Sequence, residues 1–310
     1  MERDRDADDR SGGNVGAFLC GVILLVGVSC GAPASEGSEA SSSSQVEPRS
    51  VIVDGRSFSL QCAGTGSPTV ILESGWRDGI AIWDAASGSV FDELSTRTRV
   101  CAYDRAGVSG SDPRGASTYS PADVVADLHA LLTEGGIEPP YVLVGHSLAG
   151  LILPLFASEY PSEVDGMVLL DPSTLWQFEG RQYEELLAEM GPLSEGGATL
   201  DVRAVRQQLA GATRIDVPLV VLTAGLWLES SLLGDERFVA DHERLVRATT
   251  SSAAHIIVPN VDHYIQLHVS PTALTNVITG VMSAAPDGSL PPCDALVRGT
   301  DWTCDGGNAG

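Results

Sequence analysis

A serine between small residues, Ser147, has the sequence setting of a nucleophile. The apolar run Tyr141–Val144 is rich in β-branched side chains, which indicates a buried strand, and it leads into residues 145–150, GHSLAG. Small residues on both sides of a serine allow a sharp strand-to-helix turn that lifts the hydroxyl clear of the sheet. The following helix would point its first N–H groups at the place where an oxyanion develops. The chemistry predicted for Ser147 is acyl transfer.

A histidine in a loop near the C-terminal end is the candidate general base. Residues 254–258 have the pattern of a last strand, and His263 lies in the loop that follows. An imidazole can take the proton of a serine hydroxyl and return it to a leaving group. His268, near the next helix, is the alternative base. The other histidines are predicted to lie in the core or at its boundary (His129), to be structural in the strand (His255), to support the site (His146) or to lie on the surface (His242).

These residues resemble the serine-hydrolase branch of the α/β-hydrolase superfamily, the esterases, lipases and their relatives, over roughly residues 50–285. The usual turn reads G-x-S-x-G, whereas Ala149 stands at the last position here and Gly150 follows it. We expect a slightly tighter but intact turn. The resemblance implies an α/β fold with a mostly parallel eight-stranded sheet, helices on both faces and a small helical cap at about residues 173–216. Residues 104–112 resemble the loop that supports the floor of the site in this superfamily.

The resemblance leaves two candidates for the acid that would orient His263. In most relatives the acid follows the strand that reads here as residues 218–223, and the first acid after that strand is Glu229. In pancreatic-type lipases the acid follows the preceding strand in a Leu-Asp-Pro-Ala stretch, to which residues 170–173, LDPS, are similar. A carboxylate at either strand end can reach the same histidine. Asp171 is favoured, and Glu229 is the alternative.

The resemblance also implies two oxyanion-hole donors. The loop after the strand at residues 69–73 reads Ser74-Gly75-Trp76, where relatives usually have His-Gly-x and the N–H of x is one donor. Trp76 occupies that place, and Leu148 after the serine supplies the second N–H. Because both donors are backbone groups, the side chains at these positions are loosely constrained. The alternative for Trp76 is a side chain that only packs beneath the cap.

Charge composition argues against nucleic acid as a partner, and the spacing of cysteines and histidines argues against a metal site. The 310 residues carry 18 basic residues, all arginine, against 41 acidic ones, a formal net charge of −23. Such a chain repels phosphate backbones, so we expect no nucleic-acid binding. The cysteine and histidine spacings match no metal site, and no metal or other cofactor is expected.

With 43% hydrophobic residues the chain can form one large core, which predicts a single catalytic domain over residues 50–286 and a tail at 287–310.

The N-terminal residues 1–30 have the pattern of a signal peptide or membrane anchor. Fourteen uncharged residues, 15–28, are too few to span a bilayer comfortably but suit a signal-peptide core. Small residues before Cys30 resemble the cleavage motif of bacterial lipoproteins, in which that cysteine is lipidated. Cleavage with secretion and an uncleaved anchor are the alternatives. Residues 31–49 are rich in serine and almost without apolar side chains, so they are predicted to form a flexible tether.

Four cysteines remain outside the leader, namely Cys62, Cys101, Cys293 and Cys304. An even number in an exported chain predicts disulfides, for which three pairings are possible. The superfamily fold places the strands of Cys62 and Cys101 side by side, and the other two flank a short segment of the tail. The implied pairs are therefore Cys62 with Cys101 and Cys293 with Cys304.

The resemblance implies a serine hydrolase that cleaves a small-molecule carboxylic ester through an acyl-enzyme. The N-terminal pattern predicts that it is exported, with membrane contact through an N-terminal lipid or anchor. A serine nucleophile argues against the dehalogenase and epoxide-hydrolase relatives, which use an aspartate. Peptidase, lactonase, thioesterase and carbon–carbon hydrolase activities stay open, because fold and triad do not select a substrate. A different class of function is a ligand receptor that keeps the fold but turns over slowly or not at all.

Overall fold

The computed structural model describes residues 46–84, 88–178, 184, 188, 191–211, 216–226, 236–248, 252–284 and 288–307. Residues 1–45, which include the predicted leader and Cys30, lie outside this description, as does Glu229. No helix in the described ranges combines the length and the apolar character needed to cross a bilayer. Contacts between residues group Ser43–Gly310 into one compact unit.

The described elements alternate between strands and helices along most of the chain. The strands are β1 (Arg49–Val53), β2 (Arg56–Ala63), β3 (Thr69–Glu73), β4 (Val100–Tyr103), β5 (Thr118–Tyr119), β6 (Tyr141–His146), β7 (Val164–Leu170), β8 (Ser194–Glu195), β9 (Ala198–Leu200), β10 (Leu219–Ala224), β11 (Ala253–Val258) and β12 (Thr303–Gly307). The helices are α1 (Val90–Ser95), α2 (Pro121–Glu134), α3 (Ala149–Glu159), α4 (Val202–Gly211), α5 (Glu236–Arg247), α6 (Ile265–His268), α7 (Pro271–Ala284) and α8 (Cys293–Leu296), with 3-10 turns at Ile80–Ile82 and Leu175–Phe178.

The central sheet has the order β1-β2-β4-β3-β6-β7-β10-β11-β12. Its strands from β4 to β11 pair in parallel, while β1, β2 and β12 join antiparallel at the two edges. The predicted mostly parallel α/β sheet is confirmed. Within the described residues it has nine strands where eight were expected, because the segment predicted as a C-terminal tail adds β12 beside β11.

The inner strands are apolar on both faces because helices cover both sides of the sheet. Strands β3, β6 and β10 are buried at every position. Ile71 packs with the helices α2 and α3, while its neighbours Val70 and Leu72 pack with α1 and α7 on the opposite face. Alternate residues of one strand thus enter two different layers of the core, which is why these strands read as continuous apolar runs.

Two short sequence patterns form the local structures that are typical of them. Asp54 and Gly55 both have positive φ and join β1 to β2 in a two-residue hairpin, with Val53 paired to Arg56. Helix α2 begins with a capping box in which the Ser120 side chain accepts from the Asp123 N–H and the Asp123 carboxylate accepts from the Ser120 N–H. Both features depend on neighbouring residues alone.

The cap over residues 173–216 is only partly helical. It contains the 3-10 turn Leu175–Phe178 and the predicted helix α4, but between them β8 and β9 form an antiparallel hairpin that the sequence analysis did not predict. Strand β9 pairs with β5, which lies some eighty residues earlier, to form a small second sheet. Most of residues 179–190, within the predicted cap, lie outside the described residues.

The two disulfides have the pairing that the sequence implied. Cys62 and Cys101 lie opposite each other on β2 and β4, and Cys293 on α8 is joined to Cys304 on β12. The first closes a sequence separation of 39 residues and the second one of 11. The second bond holds the C-terminal strand against the sheet.

We expect removal of these bonds to destabilise the domain by different amounts. Loop-closure entropy predicts a loss of about 4 kcal/mol in the free energy of unfolding for Cys62→Ala/Cys101→Ala and about 3 kcal/mol for Cys293→Ala/Cys304→Ala. The measurement is denaturant unfolding of the oxidised protein with and without dithiothreitol. The variant lacking all four cysteines is the control, since the reductant should not change its midpoint. An oxidised wild-type protein whose midpoint is also unchanged by the reductant would contradict both bonds.

Candidate active site

Ser147 lies in the sharp turn between β6 and α3. Its φ is 54°, in the left-handed region that non-glycine residues rarely adopt. Its N–H donates to the Leu170 carbonyl at 3.0 Å, and its own carbonyl accepts from the N–H groups of Gly150 at 2.9 Å and Ser173 at 2.7 Å. Hydrogen bonds of the Ser147 N–H and carbonyl therefore hold the strained turn in place. This is the turn that the small residues around Ser147 predicted.

Close packing explains the departure at Ala149. A side chain at Gly145 would bring its Cβ within 2.5 Å of the Ala149 Cβ, so the bare glycine leaves room for the alanine methyl. At Gly150 a Cβ would lie 2.2 Å from the Ser173 carbonyl oxygen and 2.5 Å from Pro172. The turn thus needs glycine at 145 and 150 but accepts alanine at 149.

Ser147, His263 and Asp171 form one hydrogen-bonded chain. His263 Nε2 lies 2.8 Å from Ser147 Oγ, and His263 Nδ1 lies 2.7 Å from Asp171 Oδ2. The Asp171 side chain is fully buried, while 27% of the His263 side chain is exposed. A carboxylate at Nδ1 places the proton on that nitrogen and leaves Nε2 to accept from the serine hydroxyl. The structure therefore brings together the three residues that the sequence analysis favoured.

Asp171 is positioned by the ends of two neighbouring strands. Its backbone N–H donates to the Leu222 carbonyl at 2.7 Å, and its Oδ1 accepts from the Ala224 N–H at 3.0 Å. Its φ of 45° turns the side chain out of the line of β7 toward the loop of His263. The carboxylate is thus held from β10 as well as from its own strand.

The alternative residues are placed differently. His268 Nε2 lies 3.2 Å from Asp262 Oδ1 in a half-exposed pair, and His268 is not part of the chain that joins Ser147 to Asp171. Glu229 lies outside the described residues, so its distance from His263 stays untested. In the described ranges no group of three or more His, Cys, Asp or Glu side chains has the arrangement of a metal site.

His146 supports the loop that carries His263. Its Nε2–H donates to the His263 carbonyl at 2.8 Å, and the ring is almost completely buried. Burial, with the nearby His263, lowers the pKa of His146 to about 3. The ring is therefore neutral and acts as a fixed donor to the backbone.

The surface position predicted for His242 is wrong. The residue is fully buried, with Nε2–H donating to the Pro172 carbonyl at 2.8 Å and Nδ1 lying 2.7 Å from Thr223 Oγ1. Burial lowers its pKa to about 4. Phe238, His242 and Val246 recur at helical spacing on α5, and this face of the helix packs against the sheet at Thr223. His242 thereby holds the loop after Asp171.

Both predicted oxyanion donors lie in the expected loops. Among the described residues neither the Trp76 N–H nor the Leu148 N–H has a hydrogen-bond partner, so both are available to an oxygen. The Trp76 side chain is half-buried, and its indole Nε1–H donates to the Ser194 carbonyl of the cap hairpin at 3.1 Å. The Trp76 side chain therefore packs against the cap, while its backbone N–H stays available to an oxygen.

Comparison with known proteins agrees with this architecture. Residues 68–192 match a family model described as alpha/beta hydrolase fold, and solved structures of that fold cover about three quarters of the chain. The chain therefore has the α/β-hydrolase fold.

The similarity to individual proteins of this fold is distant. The chain is 31% identical over 122 residues to YqjL, an uncharacterized protein of Bacillus subtilis, a match of 39% of this chain and 46% of that one. A thermophilic esterase from Thermogutta terrifontis is 18% identical, with a TM-score of 0.56 over 77% of this chain and 99% of its own. An enzyme described as degrading N-acyl homoserine lactones is 21% identical, with a TM-score of 0.56 over 75% and 99%. The match thus spans less than half the length of YqjL. The two solved structures share the fold of this chain.

Sequence reasoning missed two charged residues beside this site. Arg105 is 2% exposed and forms ion pairs of 2.6 Å with Glu73 and with Glu195. Arg105 had been read only as part of the loop at residues 104–112, and Glu195 had no assigned role. An arginine two residues after a buried strand is the signal that could have been used, since an arginine enters the core only with partners.

Proposed function

We propose that this protein is an exported serine hydrolase that cleaves carboxylic esters through an acyl-enzyme intermediate. The observation that supports the proposal most directly is the hydrogen-bonded chain from Ser147 through His263 to Asp171. Each of its two contacts is below 3 Å, within the reach needed for proton transfer. The strained turn at Ser147 exposes the hydroxyl at the end of β6, where parallel sheets place their sites.

In the proposed reaction Ser147 Oγ attacks the acyl carbon while His263 Nε2 takes its proton. Asp171 stabilises the imidazolium that forms and keeps the ring oriented. The N–H groups of Trp76 and Leu148 bind the oxyanion of the tetrahedral intermediate. When the bond to the alcohol breaks, His263 returns the proton to the leaving oxygen. Water then repeats the sequence on the acyl-enzyme, and the acid and free Ser147 are released.

Export is proposed from the N-terminal pattern and supported by the cysteines. Lipidation at Cys30 would anchor the domain through the tether at residues 31–49, whereas cleavage alone would secrete it. The disulfides Cys62–Cys101 and Cys293–Cys304 are typical of an oxidising compartment. Both proposed routes place the domain outside the cytoplasm, at the membrane or free of it.

The ester substrate is supported by the chemistry of the site and by the similar structures. Hydrolysis of an ester needs only the hydrogen-bonded residues Ser147, His263 and Asp171 and two oxyanion donors, and this site has candidates for all of them. One similar structure is an esterase, and another degrades N-acyl homoserine lactones, which contain a cyclic ester. We therefore propose an open or cyclic ester of a small molecule.

The test is covalent labelling with a fluorophosphonate together with hydrolysis of p-nitrophenyl butyrate. We expect the probe to modify Ser147 and the ester to be cleaved. Ser147→Ala should lose labelling and reduce turnover by several orders of magnitude, because the nucleophile is gone. Ser283→Ala is the matched control, since its exposed hydroxyl only donates to the Gly280 carbonyl. A wild-type protein that neither reacts nor hydrolyses would favour the receptor function instead.

A further inference from the structure

A single buried arginine contacts both the sheet and the loop that carries the first oxyanion donor. The Nη1 group of Arg105 donates to Glu73 Oε1 and to the Ser74 carbonyl, each at 2.6 Å, and Nη2 donates to the Gly75 carbonyl at 2.5 Å. Glu73 also accepts from the Tyr103 hydroxyl. The guanidinium therefore binds two successive carbonyls of the loop after β3.

The other partner of Arg105 comes from the cap. Glu195, on β8, accepts from Arg105 Nε at 2.9 Å and from Nη2 at 2.6 Å, a two-point contact of a planar cation with a carboxylate. The same carboxylate accepts from the backbone N–H of Arg77 at 2.7 Å. Glu195 is 7% exposed, so this contact is shielded from water. Glu195 thus connects the cap, Arg105 and the loop.

These contacts determine the orientation of the two peptide units that flank Trp76. The Gly75 carbonyl and the Trp76 N–H belong to one planar trans peptide, so they point in opposite directions. Arg105 holds that carbonyl and thereby sets the direction of the Trp76 N–H. In the next peptide, Glu195 holds the Arg77 N–H. A rotation of either unit would break a charge-assisted hydrogen bond in a buried place, which is costly.

The cap hairpin is seated closely enough for this role. The Ser194 carbonyl accepts from the indole of Trp76 and from Arg77 Nε, both at 3.1 Å. The hairpin turn also touches the loop after β4, because a Cβ on Gly107 would lie 2.3 Å from the Gly196 Cα. Glycine at both positions allows two backbones to meet, so the hairpin has little room to shift.

We propose that Arg105 and Glu195 are positioning residues that aim the Trp76 N–H at the oxyanion, so that the cap hairpin is a working part of the oxyanion hole. The inference rests on the proposed hydrolase function. On this proposal the cap does more than shape a substrate pocket, because the Glu195 carboxylate sets the geometry of the oxyanion donor that binds the transition state. Substrate contacts of the ground state are left to other residues.

The test replaces Glu195 with glutamine, which keeps the shape but removes the charge from the pair with Arg105. We expect kcat for p-nitrophenyl butyrate to fall about 10- to 100-fold with KM within about twofold, because a misaligned donor costs part of the 10²- to 10³-fold that loss of a donor costs. The affinity for a trifluoromethyl ketone, which mimics the oxyanion, should fall by the same factor as kcat/KM.

Asp127→Asn is the matched control. Asp127 on α2 is a buried carboxylate that pairs with Arg56 at 2.5 Å and Arg114 at 2.7 Å, and none of these contacts reaches residues 73–77, Arg105 or Glu195. We expect it to lower the thermal midpoint with kcat and inhibitor affinity unchanged. If Glu195→Gln fails to fold, Glu195→Asp, which keeps the charge with a shorter reach, must show the same selective loss of kcat. A Glu195 variant that loses only stability would overturn the proposal.

A second measurement does not depend on turnover. In Glu195→Gln the amides of residues 74–77 should exchange hydrogen faster than in the wild type, and in Asp127→Asn they should not. Unchanged exchange in this segment would overturn the positioning role even in a protein that hydrolyses nothing. Absence of Ser147-dependent hydrolysis in the wild type, with faster exchange in Glu195→Gln, would instead refute the proposed function and leave the loop geometry standing.

Discussion

Replacing His263 with alanine is expected to reduce kcat for ester hydrolysis by on the order of 10⁵- to 10⁶-fold, the size of effect known for the histidine of another serine hydrolase. His263 is the only described group that contacts both Ser147 Oγ and Asp171 Oδ2. Without it no base takes the serine proton and no acid protonates the leaving alcohol. The measurement is the steady-state rate of p-nitrophenyl butyrate hydrolysis, with circular dichroism to verify folding.

His268→Ala is the control for this prediction. It lies five residues from His263 and pairs with Asp262 in a half-exposed position, so most of the activity should remain. An equal loss of turnover in the two variants would contradict the assignment of the base.

Replacing Asp171 with asparagine is expected to reduce kcat by about 10⁴-fold with little loss of folded protein, as found for the equivalent change in the best-studied serine hydrolase. Asparagine is nearly isosteric, and its amide oxygen can still accept from the Ala224 N–H. Its amide cannot stabilise an imidazolium, and it favours the wrong tautomer when its NH₂ group faces Nδ1. Turnover and the thermal midpoint, measured on the same preparation, separate the catalytic loss from unfolding.

Glu229→Gln is the comparison that decides between the two acids. If Asp171 orients His263, the Glu229 variant should keep most of its turnover. A large loss in Glu229→Gln, beside near-normal activity in Asp171→Asn, would transfer the role to the acid after the later strand.

The pattern of neighbouring residues was enough to predict much of this protein. Small residues around Ser147 predicted the strained turn, because only they fit where α3 passes close to β6 and the loop after β7. The pair Asp54-Gly55 is a pattern typical of a hairpin, and Ser120 with Asp123 is typical of a helix start, since each depends on contacts within four residues. Apolar runs such as residues 218–223 predicted inner strands, because both faces of those strands are covered.

Other features depended on contacts between residues far apart in the chain. His242 was predicted at the surface, yet α5 packs it against Thr223 and Pro172. The hairpin of β8 and β9 forms beside β5 from a segment whose own pattern is short and weak. Glu195 meets Arg105 across ninety residues, and neither side chain reveals in isolation that it has a buried partner of opposite charge. Local patterns predict local structure, whereas the partner of a buried charge is decided only when the whole chain folds, because the cost of burial is met by both ends of the pair together.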